Sequence, residues 1–298
     1  MTSLNSTWLR SFTVLCEEEN FTKAAARLNM TQPGMSQHIA KLEHKLQSSL
    51  IDRDAPGFVL TSAGQKTLIM AKARWLAEKA FLESLSEGDP DRGTASVACS
   101  GSFAMLLYPA LTAWMLNAPD LSIELTAAPK REVIEGVLSG KFGLGVTTDF
   151  SGHPRLDAEP LGTEHLDLIL PVEWKNRTPA FDDLQALGYI HHPDGATYAD
   201  RVLASNYRSE YEGIDRLRIK SFINQIGQIP VPVANGIGYT ILPRSGVLAF
   251  PDRETLTTAR LPNWNKTELF LIWPKGRKPS APIEKMIAII REEARKLD

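Results

Sequence analysis

Apolar and polar positions near the start of the chain follow the period of an α-helix. Ala24, Ala25 and Leu28 belong to a short first helix, whose small side chains allow a neighbouring helix to approach closely. Apolar residues then recur at intervals of four, three and four, which predicts a second helix with one buried face. This apolar stripe consists of Met35, Ile39, Leu42 and Leu46. Thr31 is a suitable N-cap for it, and Pro33 falls in its first turn, where an N–H would have no partner.

The polar face of the second predicted helix carries amide, hydroxyl and basic side chains. Two helices joined by about three or four residues form either a helix-turn-helix or an ordinary hairpin of a helical bundle, and spacing alone allows both. In a helix-turn-helix this face would contact base edges and phosphates in the major groove. The candidate DNA-binding residues are Thr31, Gln32, Pro33, Ser36, Gln37, Lys41 and, beyond the helix, Arg53.

Two further segments complete the predicted N-terminal domain. Trp8, Phe12 and Leu15 form the apolar face of an opening helix, which we expect to pack across the other two. The helical period is lost from residue 47 to residue 60, where Pro56 and Gly57 indicate a turn between two short strands. Together these features predict an α+β winged helix-turn-helix.

Residues 62–87 contain no proline and no glycine after Gly64, which predicts one long helix. Its apolar stripe, built on a repeat of seven residues, consists of Leu68, Ala71, Trp75, Leu82 and Leu85. Such a stripe either packs on the helix's own domain or pairs with a second chain. Residues 88–92 combine glycine, proline and charge, and they predict a hinge.

From residue 93 the pattern alternates between strands and helices. Predicted strands at 95–99, 121–126 and 144–148 alternate with predicted helices at 103–116 and 131–138, which implies a parallel sheet with both faces covered. Further elements are predicted at 165–170, 182–187, 189–191, 198–205, 217–220, from 223, at 238–242, at 268–273 and at 282–296. Pro230 and Pro232 interrupt the helix predicted from residue 223. The pattern is compatible with one doubly wound domain or with two lobes.

Five short motifs resemble the N-terminal signature of LysR-type transcriptional regulators. They are FTKAA at 21–25, TQPGMSQ at 31–37, LE at 42–43, LIDR at 50–53 and LTSAG at 60–64. The resemblance favours the helix-turn-helix over the helical hairpin. The chain also departs from the family, which commonly has an arginine where Gln37 stands and basic residues in the wing where residues 55–57 stand.

The resemblance implies a domain plan for the whole chain. It comprises a winged helix-turn-helix at 1–61, a linker helix at 62–87 that pairs antiparallel with a second copy, the hinge at 88–92, and an α/β effector domain that is periplasmic-binding-protein-like. The effector domain would have two similar lobes, lobe I at 93–162 and 266–298 and lobe II at 163–265. The chain would cross between the lobes near residues 160–165 and 264–267.

Charge and composition limit the interpretation. The 298 residues have a formal net charge of −2, and the first 61 contain six basic and six acidic residues. Because lysine and arginine normally neutralise DNA phosphates, we expect a single copy to bind DNA weakly and to need a dimer or tetramer. No apolar stretch is long enough for a membrane span, so we expect a cytoplasmic protein without a membrane partner.

Hydroxyl groups follow the predicted strands of the effector domain, at positions where a ligand often binds in an open α/β sheet. Free N–H groups at helix N-termini favour anions, so the pattern suits a small carboxylate or similar metabolite. The candidate effector-binding residues are Ser100, Ser102, Phe103, Thr126, Thr147, Thr148, His192, Thr197 and Asn224. Ser100 and Ser102 also resemble the family's effector site. Each serine or threonine alone is more often a plain helix cap, whereas their coincidence at three successive strand ends favours a ligand site about equally.

Other chemistries find less support. The sequence has no GxSxG, HExxH or P-loop motif, so we expect neither an enzyme nor a cofactor, although an enzyme of an unmarked type is a second hypothesis. The adjacent His191 and His192 would point to opposite sides of a strand, which disfavours a metal site. A third hypothesis is a redox-responsive regulator that uses Cys99. The expected partners are double-stranded operator DNA, a small-molecule effector, further copies of the chain in a homodimer or homotetramer, and RNA polymerase.

Overall fold

The computed structural model describes residues 3–52, 58–85, 88–263, 265–276 and 278–297. It does not describe the side chains of residues 76, 79, 80 and 82–85. The chain divides into two compact units, one mainly Met1–Leu85 and the other mainly Ser86–Leu138 with Phe142–Asp298.

The first unit begins with three helices, α1 (Ser6–Glu18), α2 (Phe21–Arg27) and α3 (Gln32–Leu46). Each is preceded by a residue whose side-chain oxygen accepts hydrogen bonds from N–H groups of the first turn. These N-cap residues are Asn5, Asn20 and Thr31. The corner between α2 and α3 contains Asn29 at φ 51°, a left-handed conformation that asparagine tolerates better than most residues. Local capping therefore sets where each helix begins.

The predicted apolar faces of the three helices meet in one core. Phe12 and Leu15 of α1 pack with Ala24 and Ala25 of α2 and with the α3 stripe. In that stripe Met35, Ile39 and Leu42 are buried, whereas Leu46 at the end of α3 is only partly buried. The burial pattern confirms the helical periods taken from the sequence.

A short antiparallel pair follows, β1 (Ile51–Asp52) with β2 (Val59–Leu60), and then the helix α4 (Ser62–Leu85). The pair agrees with the two short strands expected for a wing. The predicted turn at Pro56 and Gly57 lies outside the described residues.

The described residues of the second unit form nine strands. They are β3 (Arg92–Cys99), β4 (Asp120–Ala127), β5 (Leu144–Thr148), β6 (Leu156–Pro171), β7 (Tyr189–His191), β8 (Ile219–Phe222), β9 (Thr240–Pro243), β10 (Leu256–Thr258) and β11 (Lys266–Pro274). The α-helices in its described residues are α5 (Gly101–Met115), α6 (Lys130–Ser139), α7 (Phe181–Leu187), α8 (Gly195–Asn206), α9 (Pro230–Ala234), α10 (Arg244–Leu248) and α11 (Ala281–Ala294).

Lobe I is built on the parallel strands β4, β3 and β5, with β11 antiparallel beside β5. This arrangement confirms the parallel βαβαβ pattern predicted from residue 93. One face of the sheet packs against α5 and α11, and the other packs against α6. Lobe II pairs β7 with β8 in parallel and carries α8 over a core that includes Leu184, Tyr189 and Tyr239.

The strand β6 runs through both lobes. Its first part pairs with β11 from Leu156 to His165, and its second part pairs with β9 and β10 from Leu166 to Pro171. From the sequence, only residues 165–170 were predicted to lie in a strand, and the family resemblance implied a crossover near residues 160–165. The first crossover between the lobes is therefore continuous extended chain.

Three other elements differ from the sequence prediction. α10 and β10 were not predicted, since each has five residues or fewer and no complete hydrophobic period. The helix expected from residue 223 is instead a 3-10 turn at Ile226–Gln228 followed by α9. Pro230 and Pro232 were predicted to interrupt this helix. They instead occupy the first turn of α9, where their missing N–H groups cost no hydrogen bond.

Among the described residues, none of the helices combines the length and the apolar character needed to cross a bilayer.

Gly64 provides a test of the packing between α4 and β1. A Cβ atom at this position would lie 2.1 Å from the backbone oxygen of Leu50. We expect Gly64→Ala to lower the free energy of unfolding of the first unit by about 1–3 kcal/mol through overpacking, although alanine is intrinsically the better helix former. Urea unfolding followed by circular dichroism measures the change. Gln65→Ala at the neighbouring exposed position is the control, and a stabilised Gly64→Ala variant would contradict the close contact.

Candidate DNA-binding face and interlobe site

The exposed face of α3 carries most of the residues predicted to bind DNA. Gln32, Pro33, Gln37 and Lys41 are exposed, and Ser36 is half-exposed. Gln32 Nε2 donates to Ser36 Oγ at 3.1 Å, so the two polar groups are held together on the first turns. Thr31 is also exposed, but its hydroxyl accepts from the backbone N–H of Gly34 and caps the helix. Arg53, the remaining candidate, lies outside the described residues.

Interactions within the domain reduce the positive charge available to phosphates. Arg27 pairs with Glu17 at 2.8 Å and with Glu18 at 2.9 Å, although all three groups retain exposure. Lys41 Nζ lies 5.9 Å from the centre of the Trp8 ring, within the range of a cation–π contact. The α3 face therefore presents mainly amides and hydroxyls to solvent, and its Lys41 contacts the Trp8 ring.

One polar contact that the sequence analysis missed fixes the angle between α1 and α3. Ser11 Oγ lies 2.8 Å from His38 Nδ1, and Ser11 is almost fully buried. A buried hydroxyl within an apolar helix face is a weak sequence signal, because nothing in the pattern names its partner. The contact orients α3 relative to the helix behind it.

The apolar stripe of α4 divides between two environments. Leu68 and Ala71 pack against the core of their own domain, so their burial requires no second chain. Ile69, Trp75 and Phe81 are exposed by 65%, 61% and 60%. The side chains of Leu82 and Leu85 lie outside those described. The exposed apolar surface of α4 thus includes Trp75 but is shifted from the predicted seven-residue stripe.

At the start of α5 the three predicted effector residues have different surroundings. Ser100 is exposed and is the N-cap, and its Oγ accepts from the Phe103 N–H at 3.3 Å. The Phe103 ring has no exposed surface and belongs to the lobe I core. Ser102 is 4% exposed, and its Oγ would lie 3.1 Å from a Cβ at Gly246 of α10. Of the three side chains, only that of Ser100 is open to solvent.

The predicted threonines lie on both faces of the lobe I sheet. Thr126 pairs with Ala98, and Thr147 follows Gly145 by two residues, so both face the α6 side. Thr148 points to the opposite face. Thr147 is 4% exposed, and its Oγ1 has no hydrogen-bond partner among the residues that the structure describes. A buried hydroxyl without a partner is costly, which makes Thr147 the most notable of the three.

In lobe II, His192 is a structural residue of the core. It is buried, its Nε2 lies 3.0 Å from the Ile241 carbonyl, and burial lowers the pKa of its imidazole. Thr197 and Asn224 are exposed.

His191 was considered in the sequence only as a possible metal ligand, but its buried Nδ1 has no partner in the described part of the chain. A Cβ at Gly195 would lie 2.7 Å from that atom, so only glycine fits at the start of α8. In the sequence, Gly195 after the two histidines was the signal that could have pointed to His191.

The two lobes meet beside Ser100. A Cβ at Gly101 would lie 3.7 Å from the Ile226 side chain, and one at Gly227 would lie 3.6 Å from Met105 Cε. The N-terminus of α5 therefore borders the 3-10 turn of lobe II, which begins two residues after Asn224. This geometry brings Ser100 close to the Asn224 segment, where the two lobes are in contact.

Both cysteines sit in environments that suppress thiolate formation. Cys99 is fully buried at the end of β3, and burial raises the pKa of its thiol to about 12. Cys16 is half-buried, and burial likewise raises the pKa of its thiol to about 12. Within the described ranges, no three His, Cys, Asp or Glu side chains form a group that could hold a metal ion.

Comparison with known proteins gives matches along nearly the whole chain. The family model for the bacterial regulatory helix-turn-helix protein of the lysR family matches residues 6–65, and that for the LysR substrate binding domain matches residues 88–295. The HTH-type transcriptional regulator CysL of Bacillus subtilis is 28% identical over 247 residues, which cover 80% of each chain.

Solved structures agree with these matches. Full-length CbnR complexed with its target DNA is 25% identical, with a TM-score of 0.65 over 99% of this chain and 100% of that one. ArgP from Mycobacterium tuberculosis shares the fold at 18% identity, with a TM-score of 0.70 over 99% of both chains. With its helix-turn-helix and its two-lobed domain both matched, the chain belongs to the LysR family of DNA-binding transcriptional regulators.

Proposed function

We propose that this regulator binds operator DNA as a homodimer or homotetramer in the cytoplasm and changes its access to RNA polymerase when a small effector enters the interlobe cleft. The proposal is supported by the presence, in one chain, of an exposed amide-rich α3 face and of polar residues where the two lobes meet, at Ser100 and in the Asn224 segment. The proposed role is recognition rather than catalysis, because the polar groups at the cleft are hydroxyls and amides.

The α3 face suits direct reading of bases. Glutamine can bind adenine through two hydrogen bonds in the major groove, and Gln32 and Gln37 are both exposed on the first turns. Lys41 lies one turn further on, where a phosphate contact would fix the register. CbnR, which has the same domain plan, was solved with its target DNA. We therefore assign α3 as the recognition helix.

Oligomerisation would supply the affinity that one domain lacks. The net charge of the first 61 residues is zero, so each copy neutralises few phosphates. Ile69, Trp75 and Phe81 expose apolar area on α4, which a second copy of the helix would cover. Two linked recognition helices then bind two half-sites whose spacing depends on the assembly.

The proposed effector is a small carboxylate or similar metabolite. Ser100 presents a hydroxyl and the N-terminus of α5, a 15-residue helix whose free N–H groups favour an anion. Thr147 and His191 add buried polar atoms that have no partner among the described residues. An effector that binds one lobe arrangement more tightly shifts the assembly toward it, and the shift equals the difference in affinity.

Gln32→Ala combined with Lys41→Ala tests the recognition helix. We expect the double variant to lose about 2–5 kcal/mol of binding free energy for its best operator, since a base contact and a phosphate contact are both removed. Fluorescence anisotropy on DNA selected by the parent protein measures the loss at two salt concentrations. Gln65→Ala serves as the control on α4. Undiminished binding by the double variant would refute the assignment of α3.

Thr147→Val tests whether the buried hydroxyl serves a ligand. In the ligand-free protein valine should raise the free energy of unfolding by about 1–3 kcal/mol, because it removes a buried hydroxyl that has no partner in the described chain. A thermal-shift screen of small carboxylates and amino acids should then find stabilisers of the parent protein that act less on the variant. Equal ligand shifts in parent and Thr147→Val would remove Thr147 from the site.

Thiol reactivity tests the redox alternative, which the raised pKa of Cys99 disfavours. We expect neither thiol to react with Ellman's reagent at pH 8 in the native protein, because both remain protonated. Denaturation in guanidinium chloride should release both thiols and calibrates the assay. Rapid native reaction of Cys99, abolished in Cys99→Ser, would support a redox regulator instead.

A further inference from the structure

Glu164 lies where the chain passes between the lobes. On β6 it pairs with Thr267 of β11, whereas Leu166, two residues later, pairs with Pro243 of β9. The residue is only 6% exposed. A carboxyl group is thus buried at the crossover, where any change in the angle between the lobes must be absorbed.

The Glu164 carboxyl holds the start of α10. Its Oε1 accepts from the Ser245 N–H at 2.8 Å, and its Oε2 lies 3.1 Å from Ser245 Oγ. Ser245 itself is fully buried. The carboxyl group therefore ties β6 to α10 through both of its oxygens.

α10 in turn contacts lobe I, although its position in the chain falls within the predicted lobe II. Gly246 packs against Ser102 of α5, and Leu248 and Ala249 pack against the lobe I core. Ser102 is two residues from Ser100 at the cleft. Glu164 therefore connects the crossover strand β6 to α5 through α10.

The groups around Glu164 act in opposite directions on its ionisation. Burial, the largest effect, and the negative charge of Asp167 on the same strand both raise the pKa of the Glu164 carboxyl, which is about 7 with all of its neighbours included. Hydrogen bonds from Ser245 and the charge of Arg244 on α10 lower it.

Asp167 and Arg244 form their own ion pair at 3.1 Å, and Arg244 also donates to the Leu297 carbonyl at 3.3 Å. From α8, the Tyr198 phenol lies close enough for its pKa to be raised by Glu164, and Arg201 reaches Thr267 Oγ1 at 3.0 Å. The charge of Arg244 is therefore shared between two partners, which leaves burial as the dominant influence on Glu164.

An ionised carboxylate gains free energy when it reaches water, whereas the protonated form is tolerated in the interior. We propose that Glu164 makes the arrangement of the two lobes proton-linked: its neutral form holds α10 in the packed arrangement, and its ionised form favours an opened one. The packed arrangement is favoured below neutral pH and weakens as pH rises through the titration of this carboxyl. This inference goes beyond the proposed function, since it requires neither effector nor DNA.

Hydrogen exchange of the full-length protein tests the link, when it is measured by mass spectrometry at a series of pH values that includes pH 6 and pH 8, with exchange times scaled for base catalysis. A carboxyl whose pKa falls from about 7 when buried to its ordinary 4.5 when exposed changes the opening equilibrium about tenfold over this range. We expect protection of the peptide that covers α10 to fall about tenfold from pH 6 to pH 8. In Glu164→Gln, which mimics the protonated acid, protection should stay at its pH 6 value.

Glu159→Gln is the matched control on the same strand. Arg291 holds the pKa of the Glu159 carboxyl below its usual range, so this variant should keep the pH dependence of the parent. If Glu164→Gln fails to fold, Ser245→Ala provides the test, because loss of one donor should move the midpoint of the pH effect to higher pH. Protection that is independent of pH in the parent, or an unchanged midpoint in Ser245→Ala, would overturn the proposal.

Discussion

The effector domain depends on the pairing of β6 with β11. These antiparallel strands lie side by side from Leu156 to His165, and β6 then continues into the sheet of lobe II. Because one strand belongs to both sheets, the lobes share hydrogen bonds that a flexible linker would not provide. A change in their relative angle must therefore distort a few residues at the crossover, while each lobe moves as a packed body.

This constraint explains why polar groups collect where they do. Buried carboxyl groups on β6, at Glu164 and Asp167, are satisfied by α10 through Ser245 and Arg244. At the N-terminus of α5, Ser100 caps the helix and the lobes touch through Gly101 and Ile226. A ligand bound there and a proton bound at the crossover would act on the same degree of freedom, since α5 packs against both.

The DNA-binding domain is governed by local capping and by charge balance. Three side-chain caps set the starts of its helices, and the apolar stripes account for its core. Because the domain is neutral and Arg27 pairs with Glu17 and Glu18, its electrostatic attraction to DNA phosphates is weak. In the proposed mode of binding, recognition depends on amides held in place by neighbours, and on the number of copies that bind together.

The sequence alone determined the family, the helix-turn-helix with its caps and buried stripes, and the alternation of strands and helices in lobe I, because each of these depends on local periodicity or on short motifs. It could not determine the extent of β6, the existence of α10, or the surroundings of Ser102, Phe103 and His191. Those features depend on which distant segments meet: Pro160 lies in β6 opposite Phe270, beside the register shift between β6 and β11, and Ser102 is buried because Gly246 lies against it. Local sequence records the preference of a residue, whereas burial and pairing are set by partners that lie far along the chain.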